Sequence, residues 1–232
     1  MTASWSAIDL IAAIYFLVTW LGYAPFLRWI ATRRKLVGAA MVNMRLAWML
    51  AMLDRDMRVS DASLIGHVMS SVSFFASTTV IIIAGLIGIL GNMEARAQSV
   101  ANEATWWLTR SPLEIKVALV LIVMIYAFQT FAWSIRQLAY SLVLIGAAPP
   151  KPVEPVVRSN YASNVAAVIT QGAQAYDNGI RAYHFALGAV TWIAGPIALI
   201  VATTAVLVLL WTRQSKSRTA LALQQIVHPP AK

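Results

Sequence analysis

The sequence lacks cysteine altogether and has few charged residues, and each shortage excludes a class of protein. Without cysteine there is no disulfide framework, iron–sulfur cluster, thiolate zinc site or cysteine nucleophile. Only 12% of the 232 residues are charged, which is about half the fraction in a soluble globular chain. Because 59% are hydrophobic, the composition indicates an integral membrane protein.

Enzymatic motifs are also missing. The sequence has no Gly-x-Ser-x-Gly elbow, His-Glu-x-x-His pair, Walker loop or dinucleotide-binding fingerprint. The nine acidic residues offer no evident acid–base pair. We therefore expect a protein that is not an enzyme and that needs no metal or cofactor. A lipid-modifying enzyme is the weakest of the alternatives.

The net charge of +9 comes from basic residues that mostly flank the apolar runs. Such flanks orient membrane proteins and attract anionic lipid headgroups. The charge therefore predicts contact with membrane lipids rather than with nucleic acid.

The hydrophobic pattern predicts an all-α polytopic membrane protein with about four transmembrane helices and additional amphipathic, interfacial helices. The expected spans cover residues 7–29, 64–90, 112–146 and 180–211, and Gly195-Pro196 should kink the last one. Residues 1–211 then form a single transmembrane domain, and residues 212–232 form a short basic tail.

Two further segments are harder to place. Residues 36–58 form an apolar run that contains Arg45 and continues to Arg55 and Arg58, which favours a helix at the interface over a fifth span. Residues 158–178 have the spacing of an amphipathic helix. The positive-inside rule favours an external N-terminus and leaves the side of the C-terminus open.

Polar residues within the spans are candidates for function, because an unpaired polar group in hydrocarbon is costly. The third span carries one polar face, and Arg181 and His184 begin another on the last span. Both arginines could form a buried ion pair with Asp177 or contact lipid headgroups; alternatively, the faces could line an ion or substrate pathway. The face on the third span comprises Tyr126, Gln129, Trp133, Arg136, Gln137 and Tyr140.

The second span has a stripe of small residues at helical spacing. Such stripes permit close approach of helices, and serines can hydrogen-bond across the contact. The stripe therefore favours helix packing, within the chain or between copies. It consists of Ser70, Ser73, Ser77, Ala84 and Gly88.

Several strings of residues resemble the membrane protein family known as domain of unknown function 599, which has bacterial and plant members. They are residues 71–79 (SVSFFASTT), 126–128 (YAF), 133–137 (WSIRQ) and 178–183 (NGIRAY), together with Arg45, Trp48, Met49, Arg55, Arg58 and Asp61. The resemblance covers residues 20 to 211. It implies a multi-span architecture and no established activity.

From these features we expect a non-enzymatic component of a bacterial inner membrane that self-associates or belongs to a larger membrane assembly. The alternative is a small oligomeric anion channel or transporter, because a basic lining lowers the barrier for negative charge. Its pathway would be lined by Gln129, Arg136, Gln137, Arg181 and His184.

Overall fold

The structure is a computed structural model that describes residues 6–31, 37–98 and 112–215. Within these ranges the chain is helical and contains no strand, which confirms the predicted all-α class. The helices are α1 (Ala7–Ala31), α2 (Val37–Leu53), α3 (Val59–Gln98), α4 (Pro112–Gly146), α5 (Pro155–Val190) and α6 (Pro196–Ser215), with a short 3-10 turn (Thr191–Ile193) between the last two.

Four of these helices are long and apolar enough to cross a membrane, as predicted: α1, α3, α4 and α6. Their starts follow local rules. At α1 the Asp9 backbone N–H donates to the Ser6 hydroxyl at 3.1 Å, and the Ser6 backbone N–H donates to the Asp9 carboxylate at 3.4 Å, forming a capping box. At α4, Pro112 occupies the first helical position, where its missing N–H has no cost.

The helices form a bundle whose two ends we name by their connections. At the loop end, Arg58 donates to the carbonyl oxygens of Ala148 and Pro149 at 2.8 and 3.0 Å, which joins the α2–α3 loop to the α4–α5 loop. At the turn end, Trp192 donates to Asp9 at 3.0 Å, so the 3-10 turn contacts the start of α1.

Long-range contacts fix the direction of each helix. α4 and α5 are antiparallel, since the Tyr161 hydroxyl donates to the Leu144 carbonyl at 2.6 Å while Gly179 packs against Phe131. α1 and α6 are parallel, because Tyr15 hydrogen-bonds Thr204 at 2.9 Å and the rings of Phe26 and Trp211 lie 6.2 Å apart. Both α4 and α6 therefore begin at the turn end.

This arrangement makes α5 run back along α4 through the length of the bundle. A chain that leaves α4 at the loop end and enters α6 at the turn end must return through the bundle between them. α5 does so with 36 residues, or about 54 Å at 1.5 Å per residue. The amphipathic helix expected over residues 158–178 is thus the first part of a longer helix that runs beside α4.

The single kinked span predicted over residues 180–211 is not observed. Helix α5 ends at Val190, and α6 starts at Pro196 and runs in the opposite direction. Gly195 between them has a φ of +143°, which side chains other than hydrogen rarely permit. The Gly195-Pro196 pair therefore reverses the chain instead of bending one helix.

The loop end is held by a cluster of paired charges. Asp61, which is 1% exposed, accepts a hydrogen bond from Trp48 Nε1 at 2.7 Å and forms an ion pair with Arg55. Arg158 pairs with Asp54 across the same end. Arg55 and Arg58, expected at the interface, lie at this end, and Arg58 ties the two loops together.

α2 is shorter than a membrane span. Its 17 residues extend about 25 Å, and Met49, Met52 and Leu53 are fully buried. α2 packs against α5, with Arg158 donating to the Leu50 carbonyl at 3.2 Å. Arg45 is half-buried within this helix.

Candidate functional site

The predicted polar face of α4 lies mostly on the outer surface of the bundle. Gln129, Trp133, Arg136 and Tyr140 are exposed, with Trp133 at 51%. Gln137 differs, because it is 7% exposed and turned toward the interior. The exposed members recur every three or four residues and therefore form one continuous stripe.

Arg136 interacts with its own helix. Its Nε donates to the Tyr140 hydroxyl at 2.9 Å, and its guanidinium lies 5.9 Å from the centre of the Tyr140 ring. A cation over an aromatic face is attracted by the ring quadrupole. Tyr140 thus orients Arg136 along the stripe, where the charge remains exposed.

Helix α5 carries a second polar stripe that the sequence analysis did not identify. Asn164, Gln171 and Gln174 are exposed, at spacings of seven and three residues. Gln171 lies near the middle of α5, about 24 Å from its first residue. Amide side chains at such a depth need a hydrogen-bonding partner, since lipid offers none.

The two stripes lie side by side. Tyr126 begins the α4 stripe and Asn178 continues the α5 stripe by one turn, and both residues line the same small cavity. Because α4 and α5 are antiparallel, the stripes run together from that cavity toward the loop end. We call this surface the polar α4–α5 face; it comprises Gln129, Trp133, Arg136, Tyr140, Asn164, Gln171 and Gln174.

The cavity lies between α1, α4 and α5 and has a volume of about 20 Å³, enough for about one water molecule. The indole of Trp20 and the ring of Tyr126 meet edge to face at 5.5 Å on one side. Arg181 lines the cavity and donates a hydrogen bond to Asn178 Oδ1. Its residues are Trp20, Tyr23, Ala24, Tyr126, Asn178, Arg181, Ala182 and Phe185.

The hydroxyl group of Tyr23 distinguishes this cavity. The residue is 6% exposed, and its hydroxyl has no hydrogen-bond partner among the described residues. A buried hydroxyl without a partner costs about 1–3 kcal/mol. The hydroxyl is therefore a donor that an occupant of the cavity could use.

Asp177 lies next to the cavity and interacts electrostatically with Arg45 on α2 and with Arg181 one turn along α5. Arg181 therefore interacts electrostatically with Asp177, the partner expected from the sequence, and a direct ion pair between them stays a prediction. Arg136, the other predicted partner of Asp177, instead contacts Tyr140. Two guanidinium groups around one carboxylate leave the neighbourhood of the cavity with an excess of positive charge.

The remaining candidates lie apart from this site. The half-buried His184 hydrogen-bonds the Ile180 carbonyl through Nδ1 at 2.8 Å, within its own helix. The small-residue stripe of α3 is largely exposed, and a side-chain carbon added at Gly88 would meet nothing within 4 Å. It includes the exposed Ser70, Ser77 and Ala84 and the half-buried Ser73, and among the described residues it forms no close helix contact at Gly88.

Sequence reasoning missed Tyr23, Asn178 and the amides of α5. The tyrosine occurs in an apolar run that fully accounts for a transmembrane helix, so nothing in its surroundings distinguishes it. The amides could have been found from their spacing, since Asn164, Gln171 and Gln174 recur at seven and three residues and therefore share one face of a helix.

The helices and their polar face define a polytopic α-helical membrane protein. The family model described as "Protein of unknown function, DUF599" matches residues 11–219, and the chain belongs to that family. This confirms the resemblance carried by the strings in α3, α4 and α5. Neither a curated protein nor a solved structure matches the chain.

Proposed function

We propose that this protein is a non-enzymatic component of a bacterial inner membrane that self-associates through the polar α4–α5 face. The exposed amides at the middle of α5 are the observation that supports the proposal. Lipid tails cannot hydrogen-bond Gln171 or Gln174, whereas the same amides of a second copy can, because each has both donors and an acceptor.

The charges on and beside this face are compatible with a second copy. Arg136 is positive and Asp177 is negative, and both are exposed on the bundle surface. In a two-fold symmetric interface residues on the axis meet their own counterparts and the other contacts join different residues, so opposite charges on one surface can pair. The small-residue stripe of α3 offers a further contact for a larger assembly.

Cross-linking tests the proposal directly, because the chain has no cysteine to remove. Gln171→Cys should cross-link between copies in native membranes with a short thiol-specific reagent. Val208→Cys is the matched control, since Val208 is 57% exposed on α6, a helix that contributes neither to this face nor to the α3 stripe. Equal cross-linking at both positions, together with a strictly monomeric protein in lipid nanodiscs, would refute self-association through this face.

The excess of positive charge near the cavity supports a second candidate, an anion channel or transporter. Arg45, Arg136 and Arg181 all lie between the two ends of the bundle, and positive side chains there lower the barrier for an anion. Liposomes that contain the wild-type protein should then show anion flux that Arg136→Ala reduces. No flux from either protein would remove this candidate and leave self-association unaffected.

A further inference from the structure

The cavity between α1, α4 and α5 is too deep for a lipid headgroup. Tyr126, which lines it, is about 21 Å along α4 from Pro112 and about 30 Å from Gly146. The hydrocarbon core is about 30 Å thick and α4 is about 51 Å long, so a centred α4 places Tyr126 about 10 Å inside the hydrocarbon. An occupant of the cavity at this depth is therefore expected to be small.

The donors around the cavity suit a negative ion. Arg181 donates to Asn178 Oδ1, which leaves the two amide hydrogens of Asn178 available. Arg181 is also close enough to Tyr23 to interact with it electrostatically. The Tyr23 hydroxyl, buried and without a partner among the described residues, supplies a neutral donor from the opposite helix.

Size and charge then select the class of ion. A volume of about 20 Å³ matches one water-sized particle and is small for a phosphate ester or a sugar. The nearest carboxylate, Asp177, is opposed by two arginines, which disfavours a cation. The positive edges of the two aromatic rings are also compatible with an anion.

We propose that this cavity binds a small monovalent anion of about the size of chloride, held by the Arg181 guanidinium, the Asn178 amide and the Tyr23 hydroxyl. The site extends the second candidate function, because an anion pathway would need such a binding step. Binding itself requires neither transport nor self-association, so the three can be tested separately.

The test is a thermal-stability titration of the full chain in neutral detergent, with chloride replacing gluconate at constant ionic strength. A ligand that binds the folded state raises Tm with saturation. Tyr23→Phe, which removes only the hydroxyl, should weaken chloride binding about tenfold. Arg181→Gln should weaken it by more than tenfold, since it removes the charge.

Tyr15→Phe is the matched control, because it removes a hydroxyl from the same helix at a site that hydrogen-bonds Thr204 away from the cavity. It should retain the wild-type chloride affinity. Each variant is compared with itself across the titration, so a lower starting Tm does not affect the result. Iodide provides a second readout, through saturable quenching of fluorescence that Trp20→Phe abolishes.

Three outcomes would overturn the site. The first is the absence of a saturable chloride effect in the wild type, and the second is equal chloride affinity in Tyr23→Phe and wild type. The third is stabilisation by added phosphatidylglycerol but not by chloride, lost in Arg181→Gln, which would make the cavity a headgroup site. Oligomeric mass and liposome flux are measured on the same samples, so failure of this site is distinguishable from failure of self-association or transport.

Discussion

Gly179 lies where α5 packs most closely against α4. A side-chain carbon at this position would overlap the ring of Phe131, which is fully buried among other aromatic rings and cannot move aside. We predict that Gly179→Ala destabilises the protein by about 1–3 kcal/mol, the usual cost of overpacking a core.

The control for this change is Gly85→Ala on α3, where an added carbon meets nothing within 4 Å. Alanine favours helix over glycine, so this variant should be neutral or more stable. Thermal unfolding of both variants in detergent provides the comparison. A Gly179→Ala protein as stable as Gly85→Ala would show that α4 and α5 are not in close contact.

Asp61 is the residue on which the loop-end cluster depends. Asp61→Asn keeps the shape of the side chain but removes the charge that accepts hydrogen bonds from Arg55 and Trp48. Hydrogen bonds to a charged group contribute about 1.5–3 kcal/mol each to stability. Because Arg55 is half exposed, we predict that Asp61→Asn lowers the free energy of unfolding by an amount near the lower value. Chemical unfolding in detergent measures it.

Asp56→Asn is the matched control at the same end, since Asp56 is almost fully exposed and pairs with Lys151 at 2.8 Å. The hydrogen bond from Lys151 holds the pKa of Asp56 below its ordinary value. This pair is therefore intact at neutral pH and is lost only as the pH falls through the lowered pKa. At neutral pH the control should unfold like the wild type; an equal loss in both variants would contradict the role given to Asp61.

The residues of the candidate site were only partly predictable. Arg136 and Tyr140 are visible in the sequence because their polarity interrupts an apolar run at helical spacing. Tyr23 is not, because what distinguishes it is the lack of a partner for its hydroxyl, and that depends on how α1 packs against α5. Periodicity shows which side chains share a face, but not which helix covers it.

At the scale of whole elements, the connection between α5 and α6 depends on Gly195. Its φ of +143° is accessible to glycine and strained for other residues. We predict that Gly195→Ala destabilises the protein by about 1–3 kcal/mol, although no atom lies within 4 Å of the added carbon. Thermal unfolding is again the measurement.

The control is Gly91→Ala. A carbon added at Gly91 also meets nothing within 4 Å among the described residues, but Gly91 lies within α3 and has ordinary helical backbone. If both alanine variants were equally stable, the backbone conformation at Gly195 would not contribute to the stability of the protein. The expected difference in stability between the two variants gives the cost of backbone strain at Gly195, separate from the general effect of adding a methyl group.

This reversal also explains why the last span was predicted incorrectly. A Gly-Pro pair inside an apolar run can bend a helix or end it, and both outcomes have the same local sequence. The choice is made by tertiary contacts, because α6 packs parallel to α1 through Tyr15 and Thr204 at one point and Phe26 and Trp211 at another. The bounds of α4, by contrast, follow from Pro112 and the prolines after Gly146 and were predictable.

At the scale of the whole molecule, we predict that α5 crosses the membrane in addition to the four apolar helices, which places the two termini on opposite sides. The basic residues support this arrangement. Three of them belong to the turn end or the segment between α3 and α4: Arg96, Arg110 and Lys116. Twelve belong to the loop end or to the sequence attached to it: Arg28, Arg33, Arg34, Lys35, Arg55, Arg58, Lys151, Arg158, Arg213, Lys216, Arg218 and Lys232. The positive-inside rule then predicts that the loop end is cytoplasmic.

Reporter fusions test this topology and the crossing of α5 together. A fluorescent protein fused after Pro152 or at the C-terminus should be cytoplasmic and fluoresce, whereas alkaline phosphatase should be active when fused after Ala194. A fusion after Thr105, in the segment that joins α3 to α4, should behave like the one after Ala194 and serves as the control for the external side.

The pair of fusions at Pro152 and Ala194 is decisive because only α5 separates them. If α5 lay flat on the membrane surface, as an amphipathic pattern alone would allow, both fusions would report the same side. The amides at the middle of α5 would then contact water, and neither self-association through the polar α4–α5 face nor an anion site at Tyr23 would be needed to cover polar groups within the bilayer. Opposite sides for these two fusions would place Gln171 and Gln174 within the bilayer, where lipid cannot satisfy them.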